Sequence, residues 1–506
     1  MKKRVIWPFL ALLLVLLLVF LYQVIKKPGK PSEPGQVPAK ADTAPAEQLN
    51  NVSDSLGAIN VYFNKSALTR YALPGNRSNF HVNLENRLLN RIRQAEHTID
   101  VALYEINLPR IIDALLEKAA AGVKVRVIAD AKDVADTHYV ERYRIMRIYL
   151  EKLVRGKDNV IGTGDEVNLF SDSPICAVPD PGFRTRHRLP PLPADLDSVA
   201  FRIGRKKILK GRLLAQDEKK KNRDAWYAPQ QQMHNKFLII DSAWVWTGSW
   251  NYTITGLYGT AENMAQGLLG GNQQHCASIH SPALAGIYTT EFNEMWGSNN
   301  SAPDPVNSDF HRRKKDNTPH RVTVGNRLVE VYFSPGDRAV DRLSRLVAEE
   351  AERRVYFTIF AWSYQDLVNA LKIKWEGTDE DFAGTLTGFE VKGVFDRTFW
   401  DMWWSASVEM TGRTASRTSV NNPNIRWYNP APVFPCRETR KLHSKTMVID
   451  GGTGSDPTVV MGSTNWSING QDINDENLLI IHDRLIANQF VQEFWARYRQ
   501  AGGNTP

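Results

Sequence analysis

Cysteine is nearly absent, with three in 506 residues: Cys176, Cys276 and Cys436, far apart and in no CxxC pair. This excludes a disulfide framework and a cysteine zinc site and leaves three ordinary buried or reduced thiols. Acidic residues are in slight deficit, 55 Asp and Glu against 63 Lys and Arg, for a net charge of +8. That balance suits an anionic partner but does not choose among lipid, nucleic acid and metabolite. A small-x-small cleavage site is missing after the apolar run VIWPFLALLLVLLLVFLYQVI, Val5 to Ile25, where KKPGKPSEPG follows directly. The run therefore reads as an uncleaved transmembrane anchor rather than a signal peptide. Its flanks, Lys2, Lys3 and Arg4 against Lys26 and Lys27, are nearly balanced. The default for an N-terminal anchor then sets the bulk of the chain on the extracytoplasmic side, periplasmic or extracellular.

Behind the basic residues 1–4 and the anchor 5–25, a Pro/Ala-rich linker reaches about residue 58, with no hydrophobic period. The remainder repeats itself. INVYFNKS at Ile59 returns as VEVYFSPG at Val329, HTIDVALYEI at His97 as RRVYFTIFAW at Arg353, and GVKVRVIADAK at Gly122 as GFEVKGVFDRT at Gly388. Four matched blocks in one order, the fourth being the motif below, mean a duplication. β-rich runs alternate with helical patterns in each copy, so two similar α/β halves, 59–300 and 327–500, are expected to pack about a pseudo-two-fold axis. A Pro/Asn/charge-rich linker, 301–326, joins them. The first half carries an insertion at about 131–232. Within it, Arg202 to Asp224 holds ten Lys or Arg against three Asp or Glu, a solvated loop or a wall that attracts an anionic surface.

The fourth block carries the chemistry. In HNKFLIIDSAWVWTGSWN, strand alternation sets His234 and Lys236 on one side, and a turn after Asp241 brings Gly248, Ser249 and Asn251 back beside them. HSKTMVIDGGTGSDPTVVMGSTN repeats this with His443, Lys445, Asp450, Gly462, Ser463 and Asn465, its turn five residues longer. Glu262 and Glu476 each lie eleven residues beyond the motif asparagine, a matched offset that suggests a carboxylate for each histidine ring. Two facing histidines can divide phosphodiester cleavage: one attacks phosphorus, the other protonates the leaving oxygen. The lysines and the Ser/Asn sets offer donors to the phosphoryl oxygens. A charged lysine beside each histidine has no lone pair and repels a cation, so neither metal nor other cofactor is expected.

These residues resemble the phospholipase D superfamily, whose signature is H-x-K-x4-D-x6-G-S-x-N. The first copy matches every fixed position, and the second matches with its enlarged turn. The resemblance implies a phosphohistidine mechanism at the interface of two α/β/α sandwich halves. His234 is then the nucleophile and His443 the general acid and base. Lys236, Lys445, Asn251 and Asn465 hold the phosphate, Glu262 and Glu476 orient the rings, and Asp241 and Asp450 shape the hairpin tips. The two histidine roles can also be exchanged, because pseudo-symmetry gives both similar surroundings.

The superfamily includes lipid hydrolases, headgroup transferases such as cardiolipin synthases, and nucleases, so the motif leaves the substrate open. The anchor and RTFWDMWWSASVEM, with Phe399, Trp400, Met402, Trp403 and Trp404, favour phospholipid. The same tryptophans could stack bases, the basic run could follow a nucleic-acid backbone, and TGSWNYT is similar to the nuclease branch. A third reading, a silent scaffold for anionic lipid, is disfavoured by intact residues in both motifs. Headgroup, acceptor and oligomeric state stay open.

Overall fold

The segments KFLII and KTMVI are buried over their whole length, as strands covered on both faces must be. They are central strands in a computed structural model that describes residues 46–49, 58–130, 140–192, 196–203, 207–218, 231–377 and 386–506. The apolar run Val5–Ile25 and nearly all of the linker after it lie outside these residues. Among the described residues no helix is long and apolar enough to cross a membrane.

The first sheet contains β1 (Ile59–Phe63), β2 (Thr98–Leu103), β3 (Lys124–Ala129), β4 (Asn168–Ser171), β5 (Ile175–Cys176), β6 (Ser198–Ile203), β7 (Lys207–Asp217), β8 (Lys236–Ile240), β9 (Trp244–Gly248) and β10 (His275–His280). Its order is β1-β10-β9-β8-β2-β3-β4-β7-β5, with β6 paired to β7. The second contains β11 (Arg321–Val324), β12 (Arg327–Ser334), β13 (Arg354–Ile359), β14 (Glu390–Phe395), β15 (Val433–Pro435), β16 (Lys445–Ile449), β17 (Thr458–Gly462) and β18 (Glu476–His482). Its order is β11-β12-β18-β17-β16-β13-β14-β15. From β1 to β4 and from β12 to β15 the two orders correspond strand for strand, as the duplication predicts. Strand β4 holds the place of β15, so that part of the 131–232 stretch belongs to the repeated frame. What the first half adds is β5 to β7 and the helix Pro181–Arg186.

Three layers of apolar side chains follow. One lies between the sheets, where the helices Pro282–Trp296 and Arg484–Ala501 pack with Phe63, Tyr288, Phe333, Phe490 and Trp495. The others lie outside each sheet, under the helices Leu84–Arg93 and Pro109–Ala120 on one side and Ala339–Arg345 and Gln365–Glu376 on the other. Each large side chain so buried stabilises the fold by roughly 1.5–3 kcal/mol relative to exposure. The central helices have strong local signals: Ser281 and Asp483 accept from backbone N–H groups at the N-termini, and Gly297 and Gly502 end them in the left-handed region.

The hairpins β8–β9 and β16–β17 are fixed at both ends. Asp241 accepts from the N–H groups of Glu96, His97 and Thr98 at 2.7–2.9 Å. Asp450 does the same for Glu352, Arg353 and Arg354 at 2.7–2.9 Å. The motif aspartates therefore staple each hairpin tip to the chain entering the neighbouring strand. At the other end, a Cβ on Gly248 or Gly462 would lie 2.3 Å from the carbonyl of His275 or Asn477, so only glycine lets the strands close there.

Replacing Asp450, itself buried, by Ala removes three charge-assisted hydrogen bonds to part-buried backbone donors, each worth about 1 kcal/mol or more. The urea midpoint should fall by the equivalent of about 3 kcal/mol or more, whereas Asp456→Ala, at an exposed pair with His482, should cost under about 1 kcal/mol. Equal midpoints for the two variants would remove the staple.

Candidate active site at the seam of the two halves

Each hairpin delivers a histidine two residues before its strand's first side chains turn inward. Lys236 Nζ donates back to the His234 carbonyl at 2.6 Å and Lys445 Nζ to the His443 carbonyl at 2.8 Å, so each ammonium is held beneath its own histidine. The residue after β2 or β13 supports the ring: Tyr104 lies 4.6 Å from His234 and Phe360 lies 4.8 Å from His443, centroid to centroid. The residue after β3 or β14 fixes the backbone leading in, with Asp130 accepting from Met233 N–H and Asp396 from Leu442 N–H at 2.9 and 2.8 Å.

The halves then exchange partners. His234 Nδ1 is 2.7 Å from Glu476 Oε2, across the seam. His443 Nδ1 is 3.0 Å from the Ser249 carbonyl and 3.1 Å from Gln274 Oε1, across it in the other direction. Glu476 thus has the role its offset suggested. Glu262 does not: it is exposed on the short helix Ala261–Gln266, and Gln274 occupies the position equivalent to Glu476. The segment between Asn251 and β10 contains that extra helix, so a fixed offset of eleven lands on its surface. Counting back from the apolar strand HCASIH would have found Gln274, one residue before it.

The motif serines also differ from expectation. Ser249 and Ser463 are completely buried. Ser249 Oγ donates to Gln274 Oε1 at 2.8 Å and accepts from His275 N–H at 3.1 Å, and Ser463 Oγ accepts from Asn477 N–H at 3.1 Å. They orient the acceptors behind the histidines rather than offering donors to a ligand.

Asn251 and Asn465, by contrast, line a cleft of about 1040 Å³ together with both histidines. Asn251 Nδ2 donates to Glu105 at 3.2 Å. Glu105 is buried, lines the same cleft and has no equivalent in the second half, where Ala361 stands. Nothing in the repeat marks Glu105, because it follows β2 as one polar residue in YEI. Phe399, Trp403 and Trp404 form part of the wall, as do Arg397, Arg440 and Lys441. From the 131–232 stretch, the described residues on the wall are Tyr143 and Gln232. All three cysteines are buried and unpaired with one another.

The electrostatics follow from burial of like charges. Desolvation, then Lys445, Lys236 and Lys441, hold the His443 imidazole well below its usual range. Desolvation and Lys236 hold the Lys445 ammonium down as well. Burial pushes the Glu476 carboxyl up to about 8 against the pull of Lys236, Ser463 and Lys445. A short hydrogen bond joins Glu476 to His234 Nδ1, while His443 Nδ1 faces two carbonyl-type acceptors and donates to them. In both rings the Nδ1 edge is committed to the opposite half, so chemistry falls to Nε2.

The family model described as "Cardiolipin synthase, PLD-like domain" matches residues 88–178, 204–296 and 347–498. A mitochondrial cardiolipin hydrolase of Xenopus tropicalis is 38% identical over 63 residues, which are 12% of this chain and 28% of that protein. Among solved structures, a phosphatidylserine synthase of Haemophilus influenzae aligns over 83% of this chain and 84% of its own, with 12% identity and a TM-score of 0.49. Nuc, a phospholipase D family member of Salmonella typhimurium, aligns over 35% of this chain and 98% of its own, with 18% identity and a TM-score of 0.26. The family match covers well over half of the chain and includes both histidines, both lysines, Gln274 and Glu476; the chain belongs to the phospholipase D superfamily, in its cardiolipin synthase-type PLD-like domain family.

Proposed function

We propose that the protein is a phospholipase D-type phosphodiesterase that cleaves or transfers the headgroup of phospholipids through a phosphohistidine. The observation that carries this is the reciprocal grip on the rings. Each histidine is fixed at Nδ1 by the opposite half, and both rings face one cleft beside two buried ammonium groups. His234 Nε2 attacks phosphorus, the bond from phosphorus to the leaving oxygen breaks, and His443 gives that oxygen its proton. Glu476 offsets the positive charge on the phosphorylated His234 ring. His443 then takes the proton of water or an alcohol, whose oxygen displaces His234 Nε2 from phosphorus. The field on His443 suits this order. Desolvation and three lysines disfavour its protonation, and a substrate's negative charge opposes the lysines on binding. Lys236, Lys445, Asn251 and Asn465 donate to the phosphoryl oxygens.

Lipid as substrate is supported by the family description and by the name of the curated relative. The aromatic wall of Phe360, Phe399, Trp403 and Trp404 beside His443 supports it too. The proposal includes Val5–Ile25 as a single membrane anchor with the catalytic part on the extracytoplasmic side.

The test uses the full chain in chelator, with vesicles of mixed anionic and choline phospholipids in one tube and single-stranded DNA in another. Phosphatidic acid or new phospholipid, absent with His234→Ala, is the expected result. Shortened DNA with no lipid product would make the protein a nuclease, and an absolute metal requirement would break the mechanism. His443→Ala should likewise lower kcat at least ~10³-fold with an unfolding midpoint near that of the parent.

Gln274→Ala should lower kcat roughly 10- to 100-fold, as loss of a ring-orienting partner does, while Glu262→Ala should stay within about twofold. The reverse ranking would restore Glu262 to the site. Lys441→Ala removes a charge that depresses His443. The alkaline limb of the kcat/KM profile, where the general acid loses its proton, should therefore move to higher pH. A limb that stays in place would mean that His443 is not the acid.

A further inference from the structure

The segment after β14 ends in a rim that the catalytic scheme leaves unused. Ser419 and Asn422 pair across a two-residue turn, and Val420 at its tip is 98% exposed. The turn is a fixed finger: Asn422 Nδ2 donates to the carbonyls of Ser363 at 3.0 Å and Trp404 at 3.3 Å. Beside it stand Met402, itself 42% exposed, and Trp403, which is half-buried on the cleft wall. Exposed cations lie nearby, with Arg417 stacked on Trp403 at 4.2 Å and Arg397, Arg440 and Lys441 on the adjoining wall, while the exposed Asp401 is paired with Arg413.

Resting on the reading of the site as a phospholipid phosphodiesterase, we infer that this rim, Val420, Met402 and Trp403 with the cations nearby, docks on an anionic phospholipid bilayer. The headgroup then enters the cleft from the membrane plane. An apolar tip with cations nearby matches a surface that is anionic at the headgroups and apolar just beneath. Continuity argues the same way, since Ser419, Asn421 and Asn422 of the finger line the catalytic cleft. A lipid lifted by the finger therefore meets His443 through Trp404, Phe399 and Phe360, whose rings touch in series, tilted or edge-on, at 5.3, 4.9 and 4.8 Å. Single-stranded nucleic acid fits less well. Arg417 already covers a face of Trp403 on which a base would stack, and Val420 and Met402 give a phosphate backbone nothing to bind.

The test labels the full chain at Val420→Cys with an environment-sensitive fluorophore; the native cysteines are buried, and the unsubstituted chain measures any background. Vesicles of phosphatidylglycerol with phosphatidylcholine, or of phosphatidylcholine alone, carry a quencher high in the acyl chain. Ile373→Cys, exposed on another face, reports proximity caused by the anchor alone. Docking predicts a blue shift and lipid quenching at position 420 that are several-fold stronger on the anionic vesicles, with iodide quenching lost, and none of this at position 373. Val420→Asp should lower turnover of vesicle lipid at least tenfold and leave turnover of soluble bis(p-nitrophenyl) phosphate unchanged. A label that stays open to iodide on vesicles being turned over would overturn docking and leave the proposed activity intact. Vesicles that quench the label but yield no product would do the opposite. Shielding by single-stranded DNA or by rising protein concentration, without vesicles, would assign the rim to another partner and overturn the inference.

Discussion

The seam between the two sheets is the constraint on which the site depends. Main-chain bridges tie Met233 to Asp475 and Gln273 to Leu442. The residue inside each H-x-K motif reaches across as well: Asn235 accepts from Asn477 at 2.9 Å, and Ser444 lies 3.2 Å from His275 Nδ1. The two bridges correspond to each other, as do the two contacts from inside the motifs, the pattern that a pseudo-two-fold axis generates. Neither half alone contains a finished histidine, because the group that sets each ring's tautomer belongs to the other half. Duplication thus supplies two copies of the reagent, and the seam converts them into a pair.

The symmetry is broken where chemistry needs it broken. Glu476 behind one ring can ionise, although burial opposes it, and Gln274 behind the other cannot. Under the proposed mechanism a carboxylate would compensate the ring that becomes cationic, and an amide and a carbonyl would hold the ring that gives up its proton. Glu105, present on one side only, adds a further carboxylate to the His234 end of the cleft. The two buried ammonium groups lie close enough to Glu476 to act on its carboxyl.

The connection between the halves carries structural charge of its own. His311 sits between Asp475 and Asp172, 3.0 Å from each, and Lys314 pairs with Glu291 and lies 3.6 Å from Asp475. Burial alone would lower the His311 imidazole, but the two aspartates carry it up to about 10. Breaking such a buried network costs far more than its net contribution suggests. Asp475 directly precedes Glu476, so the segment that joins the halves also anchors the strand that presents the ring partner.

Much was legible in the residues themselves. The repeated blocks determined two equivalent sheets, because strand alternation and helix period are local properties of the chain. The two H-x-K motifs singled out the groups proposed to react, because only a few residue types can attack phosphorus or hold its oxygens. What only the tertiary structure decided is which residue stands behind each ring. Glu262 and Gln274 both fall between Asn251 and the end of the repeat unit, and an extra helix turns one outward and brings the other to the seam. The buried serines belong to the same lesson, since a hydroxyl one residue from a cleft can face either side of the backbone. Sequence lists the groups a chain owns; the packing of one half on the other selects which of them meet, and those contacts join residues about 200 positions apart.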